Sequence, residues 1–138
     1  MKQSKFSFDE FLDQAKTLAQ GGTECGLRSA ISRAYYAIYH KARDYAYGRG
    51  KSILNPTVNK RNVNHSPLWQ LYKDVKVVKK AFAKQYWEIG MGGFDFFLTR
   101  GQADYELAVS FNWLSRWKNE LKRAEDLIKW IDALPDGP

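Results

Sequence analysis

The sequence predicts an all-α fold, an antiparallel bundle of four to five helices. Three observations carry that expectation. No stretch alternates apolar and polar residues with the period of two that a half-buried strand needs. Four stretches instead place apolar residues at three- and four-residue spacing, the mark of one buried helix face. One of these, residues 27–47, runs without Gly or Pro, is rich in Ala, and stops at Gly48.

The first helix starts at a capping box, with Ser7 as N-cap and Glu10 three residues on. Phe8, Phe11, Leu12, Ala15, Leu18 and Ala19 mark its buried face, and Gly21-Gly22 ends it. So short a connection makes the next helix, started by Thr23 or Glu24, an antiparallel neighbour. On that second helix Leu27, Ile31, Ala34, Ile38 and Tyr45 share a narrow core stripe. Arg33 and His40, seven residues apart, point roughly 140–160° away from the stripe. Ser29, Tyr36, Ala37 and Asp44 lie around them, a surface part aromatic and part ionisable.

Residues 48–64 form a long basic loop with Arg49, Lys51, Lys60 and Arg61; Ile53, Leu54 and Val58 are its candidate anchors. A connection of this length in a compact chain points to function or mobility. Ser66-Pro67 opens a third helix. Leu68, Leu71, Tyr72, Val75, Val78, Phe82 and Tyr86 give its core face, while Lys73, Lys76, Lys80 and Lys84 line another side. Gly90-Met91-Gly92-Gly93 is expected to break it. With no preceding strand and no Gly-Lys-Ser/Thr ending, that run is not a phosphate-cradling loop. A last helix is expected from 102 to 134, ~45 Å long, with Trp113, Trp117 and Trp130 partly off its stripe and free for a subunit contact or for the first helix. Pro135-Asp136-Gly137-Pro138 terminates it.

The 138 residues amount to one domain, 1–138. No apolar run approaches the ~20 residues of a membrane span, the N-terminus lacks a secretory pattern, and the single Cys25 fits a reducing compartment. A cytoplasmic location is therefore expected. The net charge of +7 is uneven. Residues 41–84 hold eleven Lys and Arg against Asp44 and Asp74, a net +9 that leaves −2 elsewhere. Such a localised positive field suits a polyanion, RNA or a nucleotide above all. The alternative is a solvated, solubilising face. Two His and one Cys make no zinc pattern, and the scattered Asp residues make no two-metal pair. No metal and no cofactor are expected. Arg with His remains, a combination sufficient for metal-free phosphodiester cleavage: an imidazole moves the proton and a fixed cation holds phosphorane charge.

The run Ser32-Arg33-Ala34-Tyr35-Tyr36-Ala37, followed by His40, resembles the signature helix of HEPN-domain proteins, small helical modules of prokaryotic toxin–antitoxin and defence systems. Asn64-His65-Ser66-Pro67-Leu68 is similar to a helix start in one HEPN family, and Arg100-Gly101-Gln102-Ala103-Asp104-Tyr105 to that family's "Arg…Ala-Asp-Tyr" element. The three together span about residues 8–132. The resemblance implies a helical-bundle fold, a homodimer, and a metal-independent endoribonuclease, a toxin or defence effector, leaving a cyclic phosphate. Many members carry Arg-x4–6-His, and Arg33 with six residues before His40 fits in form. On this reading Arg33 and His40 are catalytic. Asp44 orients the imidazole and raises its pKa, and Tyr36, Arg100, Asp104 and Tyr105 support the site. Arg49, Lys51, Lys60, Arg61, Lys76 and Lys80 contact RNA. The family motif generally sits on a later helix, near Arg100, where this chain has Asp104 and Tyr105 and no His. The resemblance therefore equally implies a catalytically inactive module that binds RNA, a nucleotide, an antitoxin or a partner nucleotidyltransferase. His65 either packs within its loop or reaches the same cleft.

Overall fold

The computed structural model describes residues 8–75, 80–106 and 113–138. These form six helices: α1 (Asp9–Gln20), α2 (Glu24–Tyr47), the single turn α3 (Lys51–Leu54), α4 (His65–Lys73), α5 (Lys80–Tyr105) and α6 (Trp113–Asp132). The fold is all-α, a helical bundle, and no strand occurs among the described residues. The expected N-cap Ser7 lies outside them.

The Ala-rich helix α2 is the shaft of the bundle, with α1, α5 and α6 packed around it. Ala30, Ala34, Ala37, Ala42 and Ala46 are fully buried, as is Ala15 of α1. Short side chains let neighbouring helices approach closely and fill the interior without voids. Leu27, Ile31, Ala34, Ile38 and Tyr45 are all buried, as their periodicity requires. The α1–α2 turn depends on Gly22 at φ +71°, a left-handed position that Gly occupies without steric cost. Thr23 then caps α2, its Oγ1 accepting from Gly26 N at 3.0 Å.

Three expected boundaries differ. The helix expected from Ser66 through Tyr86 is two helices: α4 ends at Lys73 with Asp74 as its C-cap, and α5 begins at Lys80. The N-cap of α4 is Asn64 rather than Ser66, and its side chain makes no capping hydrogen bond; Val78 lies outside the described residues. The run Gly90-Met91-Gly92-Gly93 does not break a helix but sits inside α5. The reason is tertiary. A Cβ on Gly90 would lie 2.8 Å from the Trp69 carbonyl oxygen, and one on Gly93 would collide with the Trp69 indole. These glycines admit α4, and the packing gained outweighs their poor helix propensity.

Finally, α5 ends at Tyr105, so the single helix expected from 102 to 134 is also two. Leu107 and Phe111, which apolar spacing predicts for the buried face of that helix, lie outside the described residues. The buried guanidinium of Arg28 closes that end. Its Nη1 donates to the carbonyls of Gln102 (3.3 Å), Ala103 (3.0 Å) and Glu106 (3.4 Å), placing a positive charge at the C-terminal end of α5, where the helix dipole favours it.

The basic loop is partly built. Leu54 and Val63 are buried, and Tyr39 and Tyr47 donate to the carbonyls of Val63 and Val58. The Val58 side chain itself is exposed, so its backbone is the anchor. Arg49 holds the C-terminal end of α6, donating to Leu134 O at 3.0 Å and pairing with Asp136 at 2.7 Å. No helix is long and apolar enough to cross a membrane among the described residues.

Candidate functional site

The three segments singled out in the sequence converge on one place. Ser32 Oγ donates to Asp104 Oδ2 at 3.2 Å. The Tyr35 hydroxyl lies 2.7 Å from His65 Nδ1. Arg100 Nη2 donates to the Tyr36 hydroxyl at 3.0 Å. Three positions of α2 thus receive partners from two distant segments, the start of α4 and the C-terminal end of α5.

His65 is placed from behind. Tyr35 is fully buried, and its hydroxyl accepts from Trp69 Nε1 at 3.0 Å. Burial pushes the Tyr35 phenol well up, so it stays un-ionised at neutral pH. The imidazole stacks on Phe97, with ring centres 5.2 Å apart and planes 9° apart, and meets Tyr39 at 4.2 Å. Held by its Nδ1 edge, the half-buried ring turns Nε2 away from Tyr35. Burial lowers its pKa below the ordinary 6.5, and the charges of Arg100, His40 and Arg43 lower it further.

His40 shares the same tyrosines. Its ring centre is 5.3 Å from Tyr39 and 6.1 Å from Tyr36, against 4.2 and 6.5 Å for His65. The two histidines of the chain, 25 residues apart in sequence, therefore border one aromatic corner. Arg43 Nη2 donates to His40 Nδ1 at 3.2 Å. Since Arg only donates, Nδ1 is the acceptor and the neutral ring carries its proton on Nε2. Burial, then the Arg43 charge, lowers the His40 pKa. Asp44 was expected to orient this ring and raise its pKa. Its carboxylate instead pairs with Lys60 at 2.9 Å, and its upward pull is outweighed.

Phe8 and Phe11, read from sequence as part of the core face of α1, reach the His40 ring, stacking at 4.8 and 5.8 Å. The exposed Arg33 lays its guanidinium 5.9 Å from the Phe11 centre, so one phenyl ring touches both members of the Arg33–His40 motif. Arg100 lies over Tyr36 and Tyr105 at 5.4 and 5.5 Å. Its Nε is 2.8 Å from Asp104 Oδ2, an ion-pair distance at which the N–H is not aligned as a hydrogen bond.

The expected RNA contacts are dispersed. Lys51 and Arg61 are exposed, Lys60 pairs with Asp44, and Arg49 is engaged with the end of α6. Lys76 lies outside the described residues, and Lys80 is described only as the start of α5. No group of three or more His, Cys, Asp and Glu is placed to hold a metal ion among the described residues.

Arg43, Tyr39, Trp69 and Phe97 are site residues that the sequence reading did not single out. Their signal was weak but present: Tyr39 and Arg43 follow Tyr35 at four-residue steps along α2, in line with the motif. Comparison with family models, curated proteins and solved structures finds no match for this chain.

Proposed function

We propose that this protein is a metal-independent endoribonuclease of the HEPN type, with His65 as general base. The observation that carries the reading is the convergence of both imidazoles on Tyr36 and Tyr39, with Tyr35 fixing the far edge of His65. In the tautomer whose Nδ1–H faces the Tyr35 oxygen, Nε2 offers a free lone pair. It takes the proton of a ribose 2′-OH as that oxygen attacks the adjacent phosphorus. The P–O5′ bond breaks, water protonates the departing 5′-oxygen, and a 2′,3′-cyclic phosphate remains. His40, with its proton on Nε2, donates to a phosphate oxygen, while Arg43 and the exposed Arg33 supply positive charge. The low pKa of His65 supports this role, because the base form dominates at pH 7. The three-segment resemblance to HEPN toxins and defence effectors supports RNA as the substrate.

His65→Ala should lower cleavage of single-stranded RNA in EDTA by about 10²–10⁴-fold, with the helical signal intact. His40→Gln, which keeps a donor, should lose less than His40→Ala. Unchanged cleavage in His65→Ala refutes the assignment.

A second reading, binding of RNA, a nucleotide or a partner nucleotidyltransferase without chemistry, draws on two observations. Phe8 and Phe11 stack against His40, and Asp104 already balances Arg100. Salt-dependent RNA binding with no cyclic-phosphate product from the wild-type chain would select it.

A further inference from the structure

Two tyrosines of α2 pin the basic loop across the face that carries His40. Tyr47 donates to the Val58 carbonyl and Tyr39 to that of Val63. Between these anchors the chain closes a turn, Asn62 N donating to Asn59 O at 2.8 Å and Arg61 N to Asn59 Oδ1 at 3.0 Å. The turn delivers Lys60, whose Nζ lies 2.9 Å from Asp44 Oδ1. At 100° per residue, Arg43 and Asp44 stand about 60° to one side of His40 and about 40° to the other. An imidazole, a guanidinium and an ammonium are thus brought to one strip of surface around a single carboxylate.

Stability does not account for that carboxylate. Asp44 falls in the last turn of α2, where the helix dipole disfavours negative charge. Its pair with Lys60 leaves the two side chains 44% and 47% exposed, and an exposed pair of this kind contributes little and exchanges readily. Arg43, whose Nη2 bonds His40, keeps a buried Nε without a hydrogen-bond partner among the described residues. The strip also lies in the most basic part of the chain, residues 41–84.

We infer that Asp44 is a placeholder for a phosphate group: its carboxylate sits on Lys60 as a phosphate oxygen would, and an incoming phosphate displaces it, held by Lys60 and Arg43 beside the His40 ring. One of the tetrahedrally disposed oxygens meets Lys60 while another meets Arg43, where Asp44 meets Lys60 alone. Both contacts are charge-assisted. The displaced carboxylate turns to solvent, as its exposure allows. Asp44 thereby sets the affinity of the strip by competition and keeps weakly bound anions off. As a subsite for a phosphate next to the scissile one, this rests on the ribonuclease reading; as an anion site it stands without it.

NMR of the histidine C–H signals of the full chain at pH 7 tests it, with inorganic phosphate replacing chloride at constant ionic strength. The chain has two His, and a His65→Gln variant assigns them. The charges of Asp44 and Lys60 already act on His40, which makes its ring the reporter. Its signal should move saturably toward the protonated form, which a bound anion favours. Asp44→Asn should tighten phosphate binding about three- to tenfold, and Lys60→Gln should weaken it by a similar factor. Asp74→Asn makes the same change of charge at the far end of α4 from His65, and should alter binding less than about twofold. Adenosine 3′-monophosphate and an uncleavable 2′-O-methyl oligoribonucleotide without a terminal phosphate separate the sources of the phosphate. Tighter binding of the oligonucleotide assigns the site to a strand, and tighter binding of the mononucleotide assigns it to a free nucleotide; either upholds the site. No saturable movement of His40 with any of the three probes, or equal tightening in Asp44→Asn and Asp74→Asn, overturns the placeholder. Saturable binding by a chain that cleaves no RNA upholds the anion site and removes the ribonuclease reading alone.

Discussion

At the residue scale both imidazoles are biased toward the neutral form, with burial the leading cause in each. Each is half-buried and loses solvation on ionising, and guanidinium charge adds to this, from Arg43 at His40 and from Arg100 ahead of Arg43 at His65. Their pKa values in the folded chain therefore lie below the unfolded value near 6.5. A group of this kind binds more protons unfolded than folded, so stability rises with pH through the window between its two pKa values. Stability is full above about pH 6.5 and declines as pH falls below it. The thermal midpoint should drop between pH 7 and pH 5, and the double variant His40→Gln, His65→Gln should show a smaller drop from this source. An identical pH slope in both chains would contradict it. Tyr35→Phe tests the support behind His65. It removes the acceptor of the Trp69 indole N–H, leaving a buried donor without a partner at about 1–3 kcal/mol; unfolding by denaturant measures this.

At the element scale, what was legible in the sequence was what local chemistry decides. Helix α2 announces itself by an uninterrupted Ala-rich run, and its core stripe by spacing alone. The glycine run of α5 was misleading because its cause, the Trp69 indole lying where a Cβ would go, sits on another helix. The same holds for the end of α5, where the capping donor Arg28 lies 74 residues upstream of the first carbonyl it binds. Substitution separates local preference from packing. Gly93→Ala gains helix propensity of about 1 kcal/mol, yet forces Trp69 out of place and should be destabilising by about 1–3 kcal/mol net. Gly101→Ala, open on all sides, should be neutral or stabilising by up to about 1 kcal/mol. Denaturation midpoints of the two variants, at a concentration where the chain is monomeric, should move in opposite directions or at least in that order. Equal shifts would mean that close approach of α4 is not why glycine stands at position 93.

At the scale of the whole molecule, α2 both organises the bundle and hosts the site. Ser32, Tyr35 and Tyr36 receive Asp104, His65 and Arg100 from segments far along the chain. Sequence pattern picked out each segment but not their meeting, because contacts between segments 30 to 72 residues apart leave no local periodicity. It placed the chemistry on Arg33 and His40; the proposal adds His65, whose Nδ1 edge meets the buried Tyr35 hydroxyl. The most direct measurement is the pH–rate profile of single-stranded RNA cleavage in EDTA by the wild-type and His65→Ala chains. A general base with the depressed pKa of His65 predicts a rate that climbs with pH, its midpoint below 6.5, and a limb missing from the residual activity of His65→Ala. The same limb in both chains, or no cleavage at any pH, would contradict the account.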